Sequence, residues 1–157
     1  MLKISKKLSV SLSLALTVLF MIALICGAFI MPWLVHSLLE LPDDVGMRDT
    51  VTSAEHGFVL AVSYAILAVC AVADGMLFFL LLRVRRGDVF TERSVALIRG
   101  VSWCGILMGL LFAMLGGFFQ LAFVMAFAGV FLGLCLRVVK NVIEEATEIK
   151  AENDLTV

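Results

Sequence analysis

From Gly100 to Leu136 the chain reads GVSWCGILMGLLFAMLGGFFQLAFVMAFAGVFLGLCL, 37 residues without a single charge. As one helix this stretch would run about 55 Å at 1.5 Å per residue. The hydrocarbon layer of a bilayer is only ~30 Å thick, and tilting absorbs a modest mismatch, not one of that size. Gly116 and Gly117 stand near its middle, followed by Gln120, the only glutamine in the protein. The stretch predicts two helices, over about 95–117 and 121–136, joined by a very tight turn, in preference to one kinked rod.

Two more blocks lie upstream. Between Lys7 and Glu40 the only ionisable group other than cysteine is His36, and between His56 and Arg83 the only strongly charged group is Asp74. Spans over about 8–34 and 57–82 follow. Overall 62% of the 157 residues are hydrophobic and 16% are charged, against about a quarter charged in a soluble domain. The fold class read from this pattern is all-α, a single polytopic membrane domain with four transmembrane helices. The first block begins with Lys3, Lys6 and Lys7, as a signal peptide does. Its apolar run continues from Leu8 to Val35, however, well beyond the roughly 7–15 residues of such a peptide, so it reads as a retained helix. Trp33 near its far end suits the membrane interface.

Basic residues then orient the spans. The N-terminal segment has three lysines and the first loop one base, Arg48. The second loop has five arginines (Arg83, Arg85, Arg86, Arg93, Arg99) and the third loop none. The tail has Arg137, Lys140 and Lys150. Positive charge gathers on the cytoplasmic side, so this alternation predicts both termini in the cytoplasm, with the tail (137–157) as a short cytoplasmic helix. Phospholipid is the first partner, and the five-arginine segment is expected to touch anionic lipid. Thr91 is placed to cap the third helix, with Glu92 at its positive end.

Lipid supplies no hydrophobic drive between helices, so small residues mark close packing. Gly105, Gly109, Ala113 and Gly117 recur every four residues, and Gly129 and Gly133 do so on the fourth helix, near Ala122 and Ala126. These faces are expected to meet within one molecule or to form a seam between copies in a homo-oligomer.

The polar features bear on function. Asp74 is the only charged residue inside a span, about 13 Å from the inner interface at 1.5 Å per residue. Intramembrane acids are costly and often functional. With no basic residue in another span, Asp74 needs a hydrogen bond to Ser102, Tyr64 or a carbonyl, its own proton, or a water-filled crevice. It reads either as a proton or cation site or as a buried tie between helices. Cys26, Cys70, Cys104 and Cys135 are far apart with no ligand spacing, and read as small apolar fillers. His36 and His56 flank an acidic loop (Glu40, Asp43, Asp44, Asp49, Glu55) without a metal-ligand pattern, and Leu41-Pro42-Asp43-Asp44 reads as a turn. In the tail Val139, Val142, Ile143, Ala146 and Ile149 share one helical face, opposite Glu144, Glu145, Glu148 and Glu152. An acidic amphipathic helix is repelled by anionic lipid, so its apolar face is expected to meet protein, either the inner loop of the same molecule or another chain.

Two segments carry a resemblance. Arg86-Gly-Asp-Val-Phe-Thr-Glu-Arg-Ser94 follows the second span, and Ile149-Lys-Ala-Glu-Asn-Asp-Leu-Thr-Val157 closes the chain. Together they resemble the bacterial domain-of-unknown-function 2975 family, small four-helix membrane proteins with a Gly-x-x-Phe-type motif before the third helix and an acidic Asp-Leu-Thr-Ile-like ending. Ser94 stands where members often have Asn. The resemblance implies a bacterial cytoplasmic membrane and supplies no activity. It also implies, by gene neighbourhood alone, a small helix-turn-helix regulator as a cytoplasmic protein partner.

Two functions compete. The first is a non-enzymatic membrane regulator acting through Phe90 and Thr91 of the inner loop and Ile149, Glu152, Asn153, Asp154 and Leu155 of the tail. The second is a small transporter, channel or accessory subunit using Asp74. One membrane acid cannot form a catalytic dyad, and no Ser/Lys or His/Glu pair accompanies it. The sequence therefore predicts no enzyme, cofactor or metal, and no direct contact with nucleic acid.

Overall fold

A computed structural model describes residues 6–39, 52–87 and 91–155. They form four helices: α1 (Lys6–Leu39), α2 (Ser53–Arg86), α3 (Glu92–Leu115) and α4 (Gln120–Leu155). Each is long and apolar enough to cross a membrane. Three of them run well past the apolar stretches that define the spans, because a helical backbone satisfies its own hydrogen bonds in water as in lipid. The fourth span and the tail are one unbroken helix, about 54 Å long at 1.5 Å per residue.

The helix ends have local causes. At the start of α2, Glu55 accepts hydrogen bonds from the backbone N–H and the hydroxyl of Thr52, in a Thr-x-x-Glu arrangement that ties up donors at the helix start. Its C-terminus stops at Gly87, where φ is +88° and the N–H returns to the carbonyl of Val84. That left-handed conformation is open to glycine and strained for other residues. Thr91 caps α3 as its sequence position suggests, its hydroxyl accepting from the Ser94 N–H at 3.3 Å. The tight turn falls at residues 116–119, between Leu115 and Gln120.

Burial differs from that of a soluble protein. Thr17, Ser63, Asp74, Ser94, Ser102, Gly109, Ala122 and Ala126 are inside, whereas Phe29 is 84% and Phe127 75% exposed. Val35, Val59, Ile66, Ile98 and Leu115 share the interior with them, so the departure from a soluble protein lies in the many large apolar side chains turned outward, as a lipid solvent allows.

Among the described residues the helices pack in chain order, α1 on α2, α2 on α3 and α3 on α4, with no close backbone approach between α1 and α4. The row is open rather than closed into a ring. At the turn end, α1 and α4 flank an apolar groove of about 820 Å³, walled by Val35, Leu38, Val59, Leu121 and Met125.

The closest approach is between α3 and α4. A Cβ on Gly105 would lie 3.1 Å from the Gly133 Cα, and one on Gly109 would lie 2.8 Å from the Ala126 carbonyl oxygen. Buried between the same helices, the Ser102 hydroxyl donates to the Gly133 carbonyl at 2.7 Å. The glycine faces thus meet inside one molecule. The stripe itself needs correction, because Ala113 and Gly117 are exposed and a Cβ on Gly117 would touch nothing. Four residues advance a helix about 40° beyond one turn, so an every-fourth pattern winds off the interface. Gly116, packed against the Phe123 ring, takes over at the turn end.

Candidate functional site

Val59, Ser63, Ile66, Cys70 and Asp74 fall on one face of α2 at spacings of four, three, four and four. Val59, Ser63, Ile66 and Asp74 on that face are buried. Cys70 meets Met108 of α3, with its thiol 3.0 Å from the thioether. Asp74 is only 6% exposed, and its Oδ2 has no hydrogen-bond partner. Both side chains expected as its partners are engaged elsewhere. The Ser102 hydroxyl is spent on Gly133, because Ser102 lies on the face of α3 turned towards α4. Tyr64 reaches the other way and donates to the Ala28 carbonyl of α1 at 3.0 Å. Asp74 is therefore a buried acid without a side-chain tie, and it lines neither the turn-end groove nor the arginine-end cleft.

The opposite, arginine-bearing end carries the other candidates. Arg99 of α3 forms an ion pair with Glu144 of α4 at 3.1 Å, and Lys140 bonds the second oxygen of the same carboxylate. The hydrogen bond from Lys140, with its charge and that of Arg99, holds the Glu144 carboxyl below the usual glutamate range. Beside them the Arg137 guanidinium sits 4.9 Å from the centre of the Trp103 ring, a cation–π contact.

The antiparallel register set by Gly105/Gly133 and Gly109/Gly129 places Glu92 level with residue 146. Residues 147–155 of α4 therefore extend past the beginning of α3. On this arm Ile149 is 54% exposed, Val142, just before it, is 61% exposed, and Glu152 is exposed. Ile143 and Ala146 of the same apolar face are half-buried. The tail is tied to α3 through Glu144 and Arg99, and its last two turns run past the start of α3. Asn153, Asp154 and Leu155 continue the helix, but their side chains, like Phe90, lie outside the described residues. The hydroxyl of Thr91, the remaining candidate, is engaged by Ser94.

At the turn end the rings of His36 and His56 pack edge to face, 6.3 Å between centroids. No three potential metal ligands converge among the described residues, and the acidic loop from Glu40 to Asp49, with its expected turn at Pro42, lies outside them. All four cysteines are free thiols.

Sequence reasoning missed three features. Tyr64, one of several possible partners for Asp74, bonds Ala28 instead, and the signal for that partner is present in Pro32. The Thr52/Glu55 box was legible as Thr-x-x-Glu. The contact between Arg137 and Trp103 joins residues 34 apart, and no periodicity announces it.

Four apolar helices of span length, with large apolar side chains over their outer faces, define a multi-pass helical membrane protein. The chain belongs to the family described as Protein of unknown function (DUF2975), whose family model matches residues 5–157. No curated protein and no solved structure matches it.

Proposed function

We propose that this protein is a non-enzymatic regulator of the bacterial cytoplasmic membrane. It has both termini in the cytoplasm and engages a soluble protein through the projecting end of α4. The observation that carries the reading is the exposure of Ile149 on an arm that extends past the start of α3. Measured from Leu136, where the charge-free stretch ends, Ile149 stands about 20 Å further along the helix at 1.5 Å per residue, a position that lipid would not cover. A neighbouring run of glutamates keeps the arm away from anionic headgroups. A basic, groove-bearing partner fits such a helix, and a small helix-turn-helix regulator, suggested by the family resemblance, has that chemistry.

A photoreactive residue at position 149, introduced in growing cells, tests the reading. A discrete adduct with one soluble protein, lost with Glu148→Lys and absent from a probe at Phe127, is expected. Adducts confined to the protein's own α2–α3 segment would contradict it.

The second reading, a small transporter, channel or accessory subunit, draws on Asp74. A buried carboxyl oxygen without a partner is the kind of group that binds a proton or cation during passage. It requires that Asp74→Asn abolish function while truncation after Lys140 is tolerated, the opposite of what the regulator requires.

A further inference from the structure

The arginines at this end of the molecule are not equivalent. Arg99 is neutralised by Glu144, and Arg137 of α4 is placed over Trp103. Arg83, Arg86 and Arg93, by contrast, line a cleft of about 630 Å³ between the end of α2 and the start of α3, together with Phe79, Leu82 and Leu97. None of the three makes an ion pair among the described residues. Helical spacing assembles the cleft: Phe79, Leu82, Arg83 and Arg86 are three or four residues apart on α2, and Arg93 and Leu97 are four apart on α3. Its charged rim stands at the end of the apolar spans, and its walls are the last apolar turns.

We infer that this cleft is a binding site for an anionic phospholipid, with the phosphate held by Arg83, Arg86 and Arg93 and the glycerol and upper acyl chain lying against Phe79, Leu82 and Leu97. Three guanidinium groups around one opening match a phosphate, because each offers two parallel N–H donors to its oxygens. The volume lies within the roughly 300–1,000 Å³ range of small-ligand sites. A free phosphate would use the rim and leave the apolar walls unused, whereas a lipid uses both. Basic clefts between membrane helices take up anionic headgroups in this manner. Arg85, exposed and outside the cleft lining, supplies an internal control of equal charge.

Native mass spectrometry of the full chain in detergent, titrated with phosphatidylglycerol or phosphatidylcholine, tests the site. Phosphatidylglycerol is expected to give a first adduct in preference to phosphatidylcholine. Each of Arg83→Gln, Arg86→Gln and Arg93→Gln is expected to weaken it about fivefold, with phosphatidylcholine unaffected. The lysine variants should fall between, having charge without the fork, and Phe79→Ala should weaken both lipids. Arg85→Gln should bind as the wild type does. An equal loss in Arg85→Gln would mean diffuse attraction and would overturn the site. Displacement of the lipid by excess inorganic phosphate, with no effect of Phe79→Ala, would assign the rim to a free anion and would overturn the lipid.

Discussion

The Tyr64 hydroxyl donates to the carbonyl of Ala28, the acceptor that Pro32, inside α1, leaves without its helical donor. Proline has no N–H to return to the residue four positions earlier, and within a bilayer no water replaces it. A tyrosine from the neighbouring helix does. The bond joins α1 to α2 and makes a helix-breaking residue tolerable at that depth.

Tyr64→Phe should therefore destabilise the packing of α1 on α2 by about 0.6–1.5 kcal/mol, the range for hydrogen bonds between membrane helices. In a Pro32→Ala background the helix regains its own donor, and the cost should shrink. A double-mutant cycle on detergent-solubilised protein, read by thermal unfolding, measures the coupling. Equal costs in both backgrounds would detach Tyr64 from Pro32.

The α3–α4 seam makes a sharper distinction among glycines than their spacing suggests. Gly109→Ala forces a Cβ against the backbone of α4 and should cost about 1–3 kcal/mol, as overpacking does. Gly117→Ala, with open space around it, should be close to neutral. Resistance of the two variants to unfolding in SDS separates them.

Asp74 is buried with an unsatisfied oxygen, which costs of the order of 1–3 kcal/mol. Asp74→Leu is thus expected to raise the unfolding temperature in detergent, and Asp74→Asn to raise it less. If the leucine variant unfolds more easily, the carboxyl has a partner in the membrane, and transport gains ground over regulation.

The Glu144 carboxyl is held down by the hydrogen bond from Lys140, then by the charges of Lys140 and Arg99. A carboxyl lowered in the folded state contributes stability that is fully present above its unfolded value, ~4.3, and is lost as pH falls through the lowered one. Contact between α4 and Arg99 should be unchanged through neutral pH and loosen only in strong acid. Carbon-13 NMR of the Glu144 carboxyl follows this directly. Glu144→Gln should remove the acid-dependent step.

Much of this architecture is legible in one dimension because lipid imposes a strict rule, that charges leave the spans. The charge-free blocks therefore show the four helices, and Gly116–Gly117 within an over-long one shows the turn. The partners of single polar groups are not legible in the same way. Ser102 stands level with Asp74 along the row yet faces α4, and a rotation about the helix axis that no composition reveals decides which neighbour it meets. The open order of packing is equally invisible, since four amphiphilic faces close into a ring or spread into a row with the same residues. The candidate site in the tail is legible as an apolar face, but where Arg99 meets it, and how far it runs past the start of α3, depends on the α3–α4 register.

The direction in which the α4 arm points carries the functional reading, and cysteine accessibility measures it. In a variant with Cys26, Cys70, Cys104 and Cys135 replaced by alanine, single cysteines would be placed as Gly117→Cys in the turn and Ile149→Cys on the arm. Both would be treated with a membrane-impermeant maleimide in intact and in permeabilised cells. Labelling of position 117 in intact cells, and of position 149 only after permeabilisation, is expected. Labelling of position 149 from outside would place the arm on the wrong side of the membrane for any cytoplasmic partner and would contradict the account.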